Sequence, residues 1–201
     1  MKNRLYKILL PVLFLIASCT SSTGEKPIPV KKDSVKVVSS SDSVISGNSS
    51  YLSDCQKLYA EAKKMDSTLL KEVEVKPAIA KKAIKAFTDF AYYCASDSLC
   101  PIYLIKTAQV AQSVNNAPQA KVVLERCVND YTTSKHRPAA LFLLAQLYDE
   151  TTFLDNETEA QRLYQKIIDE YPKSDWAKSS KGALKFIGKS DEQIMEELKK
   201  K

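Results

Sequence analysis

The sequence predicts an all-α fold built from helix hairpins, and three observations support this. Apolar residues recur at three- and four-residue steps through most of the chain, as on the buried face of an amphipathic helix. The same order of small and large residues returns in three successive units. None of the four glycines lies between Gly47 and Gly182. β-Hairpins and phosphate-binding loops use glycine for positive φ, so this gap disfavours both.

The stretch from Pro138 to Pro172 shows the hairpin pattern most clearly. Its first half carries Leu141, Leu144, Ala145 and Tyr148 at helical spacing, and its second half carries Ala160, Tyr164, Ile167 and Ile168. The small residues stand where two helices must approach closely, and the large ones fill the space between them. This order resembles a tetratricopeptide repeat, although the connection at 151–156 is about three residues longer than in that family.

Two earlier units repeat the pattern. The first carries Leu52, Cys55 and Tyr59 on a helix over 51–66, an irregular insertion over 65–76, and then Ala83, Phe87 and Phe90 on a helix that Pro77 opens. The second carries Leu104, Ala108 and Ala111, then Ala120, Leu124 and Cys127. Its span from Pro101 to Ser134 has the length of about 34 residues that is typical of the family.

Two shorter helices follow Pro172, beginning near Ser174 and Ser190. Ser190 and Gln193 have the spacing of a capping box. The resemblance therefore implies a tetratricopeptide-like α-solenoid of about three helix hairpins, which occupies 51–201 and ends in a C-terminal capping helix pair.

Residues 1–18 are predicted to be a lipoprotein signal peptide. Three basic residues precede an apolar run over 8–17, which is too short to span a bilayer. The run ends in Leu-Ile-Ala-Ser-Cys at 15–19, which resembles a bacterial lipobox and implies a covalent lipid on Cys19. A plain secretory signal or a short membrane anchor is the alternative. Thr20 stands where aspartate would favour inner-membrane retention, so the outer membrane is predicted, with the domain facing the periplasm.

Residues 19–50 are predicted to be a disordered tether. The segment is rich in serine, contains two prolines and shows no helical periodicity, so it cannot bury enough apolar surface to fold. The signal peptide contributes three positive charges to the formal net charge of +6. The remaining net charge of +3 is too small, and the basic residues are too scattered, to predict a nucleic-acid partner.

No constellation of residues predicts an enzyme. His136 is the only histidine, which excludes a multi-histidine metal site, and a packing or surface role is favoured for it. Zinc-binding, nucleophile-elbow and glycine-rich phosphate motifs do not occur. The acidic residues over 149–157 lack the spacing of a calcium loop. We therefore predict no catalytic residues, no metal and no cofactor besides the lipid.

The other cysteines divide into two pairs. Cys55 and Cys127 stand at apolar positions of the repeat and are predicted to be buried fillers. Cys94 and Cys100 flank the short turn between two helices. In an oxidising compartment this placement permits a disulfide, provided that their Cα atoms lie within ~7 Å. Two free thiols are the alternative.

The resemblance also implies a partner face, because first helices line the concave side of such solenoids. The positions on this face are Lys57, Ile105, Gln109, Phe142, Gln146 and Asp149. Amide side chains reach peptide backbone groups, and Ile105 and Phe142 would serve either as apolar anchors or as ordinary inter-helix packing. No cluster of Lys and Arg occurs on the face, which disfavours a clamp for terminal carboxylates.

These features predict a non-enzymatic scaffold that holds a periplasmic or outer-membrane protein or peptide near the membrane. The recurring spacing of Tyr131 with Ser134 and of Tyr171 with Ser174 resembles envelope repeat lipoproteins of the BamD type and Tol–Pal-associated repeat proteins. A peptidoglycan- or glycan-associated module, or an accessory subunit of an enzyme complex, is the alternative function. The oligomeric state stays open.

Overall fold

The computed structural model describes residues 44–199, and no strand occurs among them. The helices are α1 (Val44–Leu69), α2 (Pro77–Tyr93), α3 (Cys100–Ser113), α4 (Ala117–Asp130), α5 (Arg137–Asp149), α6 (Glu157–Glu170), α7 (Asp175–Leu184) and α8 (Asp191–Lys199). The all-α prediction is therefore confirmed. The predicted signal peptide, Cys19 and most of the predicted tether lie outside the described residues. Within the described part, no helix combines the length and apolar character needed to cross a membrane.

Helices α2 to α7 pack in chain order, each against the next, and α7 also contacts α5. Together with α1 they belong to one compact unit, Ile45–Gly188. Its core contains alanines at the points of close approach and larger side chains between them, including Phe87, Leu104, Leu141 and Tyr164. The hairpins predicted from the periodicity are present as α3–α4 and α5–α6.

Two of the turns adopt positive φ without glycine. Asn115 has a φ of 58° and Asp155 a φ of 46°, in the left-handed region that Asn and Asp tolerate better than other side chains. The next residue caps the following helix in each case. The side-chain oxygens of Asn116 and Asn156 accept hydrogen bonds from the backbone N–H three residues on, at 3.3 and 3.1 Å. This shared turn explains how the hairpins form in a chain so poor in glycine.

The longer connection between α5 and α6, at 150–156, folds back onto the end of α5. The backbone N–H of Asn156 donates to the carbonyl of Tyr148 at 2.7 Å, and that of Leu154 donates to the carbonyl of Leu147 at 3.2 Å. The Leu154 side chain packs half-buried against the core. The extra residues therefore extend the core rather than projecting from it.

The first helix is longer than predicted at both ends. It begins at Val44, so residues 44–50 are helical and not disordered, and it continues to Leu69 through the start of the predicted irregular insertion. No proline interrupts this stretch, and the Ser67 and Thr68 hydroxyls donate to carbonyls four residues earlier. The prediction that Leu52 faces the core is wrong, because its side chain is 56% exposed.

Helix α1 lies antiparallel to α2. Near the start of α1, the Tyr51 ring stacks on Tyr93 at 5.5 Å between centroids, and its hydroxyl donates to the Tyr93 carbonyl at 3.2 Å. One turn further on, Cys55 forms a disulfide with Cys94, with the Cα atoms 5.7 Å apart. The part of α1 from Tyr51 to Cys55 is therefore fixed at the end of α2.

The disulfide corrects two predictions about the cysteines. Cys94 is bridged to Cys55 and not to Cys100, and Cys55 is a bridging residue rather than an apolar filler. Cys100 and Cys127 are free and buried, and for Cys127 this agrees with the prediction. The turn between α2 and α3 directs the Cys100 thiol at the Cys94 carbonyl, to which it donates at 2.9 Å. The antiparallel pairing of α1 with α2 instead places Cys55 beside the Cys94 sulfur.

The residue that follows each second helix connects the end of that helix to an earlier part of the chain. We call Cys94, Tyr131 and Tyr171 the junction residues. Cys94 is bridged to α1. The Tyr131 hydroxyl donates to the carbonyl of Ala95 at 2.9 Å, and the Tyr171 hydroxyl accepts from Arg137 Nη1 at 2.8 Å. Tyr131 therefore links its unit to the preceding one, whereas Cys94 and Tyr171 each join the end of a second helix to the first helix of the same unit.

Arg137 makes the most extensive of these connections. Its side chain is buried at the start of α5, and its Nε donates to the carbonyl of Val128 on α4 at 2.9 Å. Its Nη1 donates to the Glu170 carboxylate on α6 and to the Tyr171 hydroxyl just beyond it. One guanidinium therefore joins α4, α5 and the end of α6. The equivalent position one unit earlier is Cys100.

Helix α8 lies outside the compact unit. Its start forms the predicted capping box: the Ser190 N–H donates to Gln193 Oε1 at 2.8 Å, and the Gln193 N–H donates to Ser190 Oγ at 3.3 Å. Lys189 and Glu197 form an ion pair at 2.5 Å. Of the predicted capping helices, α7 packs on α6 and α5.

Candidate partner-binding surface

Gln109 and Gln146 hold equivalent positions in successive units. Gln109 lies on α3 and Gln146 on α5, and both side chains are half-buried. Phe142, one turn before Gln146 and on the same side of α5, is also half-buried. Three of the six predicted face positions therefore combine partial exposure with placement on the first helices of their units.

Phe142 belongs to an aromatic cluster that spans three helices. Its ring centroid lies 5.5 Å from that of Tyr164 on α6 and 5.3 Å from that of Trp176 on α7. Both predicted roles of Phe142 therefore keep support, because the ring packs between helices and still reaches the surface. Trp176 is 36% exposed beside it.

Trp176 is a candidate that sequence reasoning missed. It lies at the start of α7, and its contact with Phe142 places it beside the predicted face. The sequence signal for this role is a large aromatic residue at the start of α7, the helix that follows the α5–α6 hairpin. We call Gln109, Phe142, Gln146 and Trp176 the amide–aromatic face.

The other three predicted positions do not join this face. Ile105 is 4% exposed and Asp149 is 6% exposed, so the prediction that they contact a partner at the surface is wrong. Both helices are covered on several sides, α3 by α2 and α4, and α5 by α4, α6 and α7. Lys57 is exposed on α1, where its ammonium pairs with the Asp54 carboxylate at 3.1 Å.

The described residues include no candidate metal site, and burial shifts the pKa of the Cys127 thiol and of the His136 imidazole. No group of three His, Cys, Asp or Glu side chains over 44–199 could hold a metal ion. Burial raises the pKa of the Cys127 thiol to about 12, so it stays protonated at neutral pH. The imidazole of His136 is half-buried at the start of α5, and burial, with the charge of Lys135, lowers its pKa below 6.5.

The lowered pKa of His136 predicts a loss of stability on mild acidification. The unfolded chain binds a proton as the pH falls through about 6.5, while the folded chain resists protonation, so the free energy of unfolding decreases until the folded pKa is passed. Urea unfolding at pH 7.5 and at pH 5.5 measures this. His136→Gln should lose less stability between the two pH values than the wild type, and Lys135→Gln should lose an intermediate amount. Equal losses in all three chains would contradict the assignment to His136.

The comparisons with known proteins agree with this architecture. Residues 139–174 match the tetratricopeptide repeat family, from the first turn of α5 through α6 to the residue that caps α7. No curated protein and no solved structure matches the chain. Tetratricopeptide repeats generally act as non-enzymatic scaffolds for protein–protein interaction. The hairpins stacked in chain order and this match identify the fold as an all-α solenoid of the tetratricopeptide type, with residues 139–174 as one of its repeats.

Proposed function

We propose that the chain is a non-enzymatic, lipid-anchored scaffold of the cell envelope that binds a periplasmic or outer-membrane protein through the amide–aromatic face. One observation carries the proposal. Two half-buried glutamines occupy equivalent positions in successive repeats, and one of them, Gln146, lies one turn from Phe142, which packs on Trp176. This arrangement provides polar groups at a repeating interval next to an apolar anchor.

The chemistry of the face suits an uncharged peptide segment. A glutamine amide both donates and accepts, so Gln109 and Gln146 can bond to backbone C=O and N–H groups of an extended chain. Trp176 and Phe142 offer a large apolar surface of the kind that dominates protein interfaces. None of the four residues is charged, so the face favours an internal segment of the partner over a terminal carboxylate.

The proposed location rests on the sequence before α1. The Leu-Ile-Ala-Ser-Cys segment at 15–19 follows a basic and apolar leader, so Cys19 would carry the lipid and residues 20–43 would link it to the helices. The Cys55–Cys94 disulfide supports an oxidising compartment outside the cytoplasm.

Crosslinking in intact cells, followed by mass spectrometry of the captured material, tests the partner face. Gln109→Ala combined with Gln146→Ala removes up to two hydrogen bonds of about 1 kcal/mol each, which corresponds to about 30-fold weaker binding. Capture of the partner should fall accordingly while the helical circular-dichroism signal is unchanged. Gln119→Ala combined with Gln161→Ala removes two amides from the second helices and should leave capture as in the wild type. Equal capture by both double variants would contradict the face.

The same cells test the anchor and the alternative function. The mature chain extracted from membranes should begin at Cys19 and carry a diacylglycerol adduct by intact mass. Cys19→Ser should lose both the adduct and the membrane association. A mature chain without lipid would contradict the anchor. Peptidoglycan or glycan fragments, captured in place of a protein, would favour the envelope-glycan alternative.

A further inference from the structure

Three cysteines meet where α1, α2 and α3 come together. Cys55 and Cys94 form the disulfide, and Cys100, the first residue of α3, is fully buried with a free thiol. The Cys100 sulfur lies 2.9 Å from the backbone carbonyl oxygen of Cys94. A third sulfur is therefore held against the residue that carries the disulfide. The other free thiol in the described part of the chain, Cys127, contacts the carbonyl of Pro101 instead, at 3.6 Å.

We propose that Cys100 is an internal exchange partner for the Cys55–Cys94 disulfide. In the exchange, the Cys100 thiolate attacks the Cys94 sulfur, the Cys94–Cys100 bond forms, and the Cys55–Cys94 bond breaks. Cys55 leaves as a thiolate and takes up the proton that Cys100 gave to solvent. One disulfide and one thiol are present before and after, so no oxidant or reductant is consumed. The bridge moves from between α1 and α2 to the turn between α2 and α3.

The surroundings of Cys100 explain why Cys55–Cys94 is the resting pair. Burial raises the pKa of the Cys100 thiol, and the charge of Asp97 acts in the same direction. The Tyr131 hydroxyl and the Arg126 guanidinium oppose this by favouring the thiolate. The net effect keeps Cys100 protonated at neutral pH, and a thiol attacks a disulfide far more slowly than a thiolate does.

The exchange would change how α1 is held. Over residues 50–69, only the side chain of Ala62 is fully buried. The non-covalent contacts of α1 include the stacking of Tyr51 on Tyr93, the packing of Tyr59 against Phe90 and Tyr103, and the ion pair of Asp66 with Lys106 on α3 at 2.5 Å. After the exchange only non-covalent contacts would remain between α1 and α2, and the part of α1 around Cys55 could separate from the end of α2.

Peptide mapping of the full chain tests the exchange directly. The protein is incubated without redox reagents at pH 7, 8 and 9, quenched with acid, alkylated and digested under non-reducing conditions. A Cys94–Cys100 peptide with alkylated Cys55 should accumulate about tenfold faster for each pH unit, as the thiolate fraction rises. Cys100→Ser keeps a donor to the Cys94 carbonyl and should retain only the original bridge. A folded wild type that shows only Cys55–Cys94 at pH 9 would overturn the proposal.

A second variant tests whether Cys94 and Cys100 can be joined. In Cys55→Ser, oxidised glutathione should drive a Cys94–Cys100 disulfide in protein that retains its helical circular-dichroism signal. Adding Cys127→Ser should not change this result, because Cys127 takes no part. Alkylation of both Cys94 and Cys100 in the folded, oxidised variant would overturn the proposal. If Cys55→Ser does not fold, the wild-type mapping decides.

Discussion

Removal of the Cys55–Cys94 disulfide should lower the free energy of unfolding by about 3 to 4 kcal/mol. The bridge closes a loop with a sequence separation of 39 and so restricts the unfolded chain strongly. Urea unfolding of Cys55→Ser combined with Cys100→Ser, compared with Cys100→Ser alone, measures the effect. The shared Cys100→Ser change removes the third sulfur of the junction from both chains, so only the Cys55–Cys94 bridge differs.

A reductant provides the control for this comparison. With dithiothreitol present, the two chains should unfold at nearly the same urea concentration, because neither then carries the bridge. A difference of less than about 1 kcal/mol under oxidising conditions would mean that the bridge contributes far less than loop closure predicts.

Arg137→Met should lower the free energy of unfolding by about 2 kcal/mol. The substitution keeps an apolar stem but leaves the Val128 carbonyl and the Tyr171 hydroxyl without their donor. Glu170 adds less to the loss, since its carboxylate is partly exposed and also lies 3.7 Å from Lys166. Because the guanidinium joins α4, α5 and the end of α6, its removal should weaken the contact between the α3–α4 and α5–α6 repeats and not one helix alone.

Arg162→Met is the matched control for Arg137→Met. Arg162 also pairs with a glutamate, Glu159, but on the exposed face of α6, where 57% of the arginine side chain is accessible. Exposed pairs of this kind contribute little, so the change should stay within about 0.5 kcal/mol. If both variants lost a similar free energy of unfolding, the burial of Arg137 and its bonds to α4 and α6 would not contribute to stability.

Helical periodicity was sufficient to predict the fold. Spacings such as Leu141, Leu144, Ala145 and Tyr148 identified the buried side of α5, and those residues pack as expected. The turn before α6 was recognised by its polar residues, and its extra length was correctly placed. Such features depend on neighbours within one helix or one hairpin, which the order of residues determines directly.

The features that were predicted wrongly depend on contacts between units. Cysteine pairing follows from which helix ends meet in space, and spacing favoured Cys100 where the structure uses Cys55. The burial of Ile105 and Asp149 depends on how many neighbours cover α3 and α5. Trp176 joined the candidate face only through its contact with Phe142. Periodicity identifies one side of a helix but does not show how much of the rest is covered.

The position of the disulfide also determines how the chain would carry a pulling force. A pull applied ahead of α1 would pass through the sulfur–sulfur bond to the end of α2, and the loop between Cys55 and Cys94 would bear no load. That loop, with a sequence separation of 39, holds about 130 Å of extensible chain. Opening the bond, or moving it to Cys100, would bring this length under tension and let it extend. Whether the Cys55–Cys94 bond is closed would then determine the greatest distance between the repeats and the point at which the chain is attached.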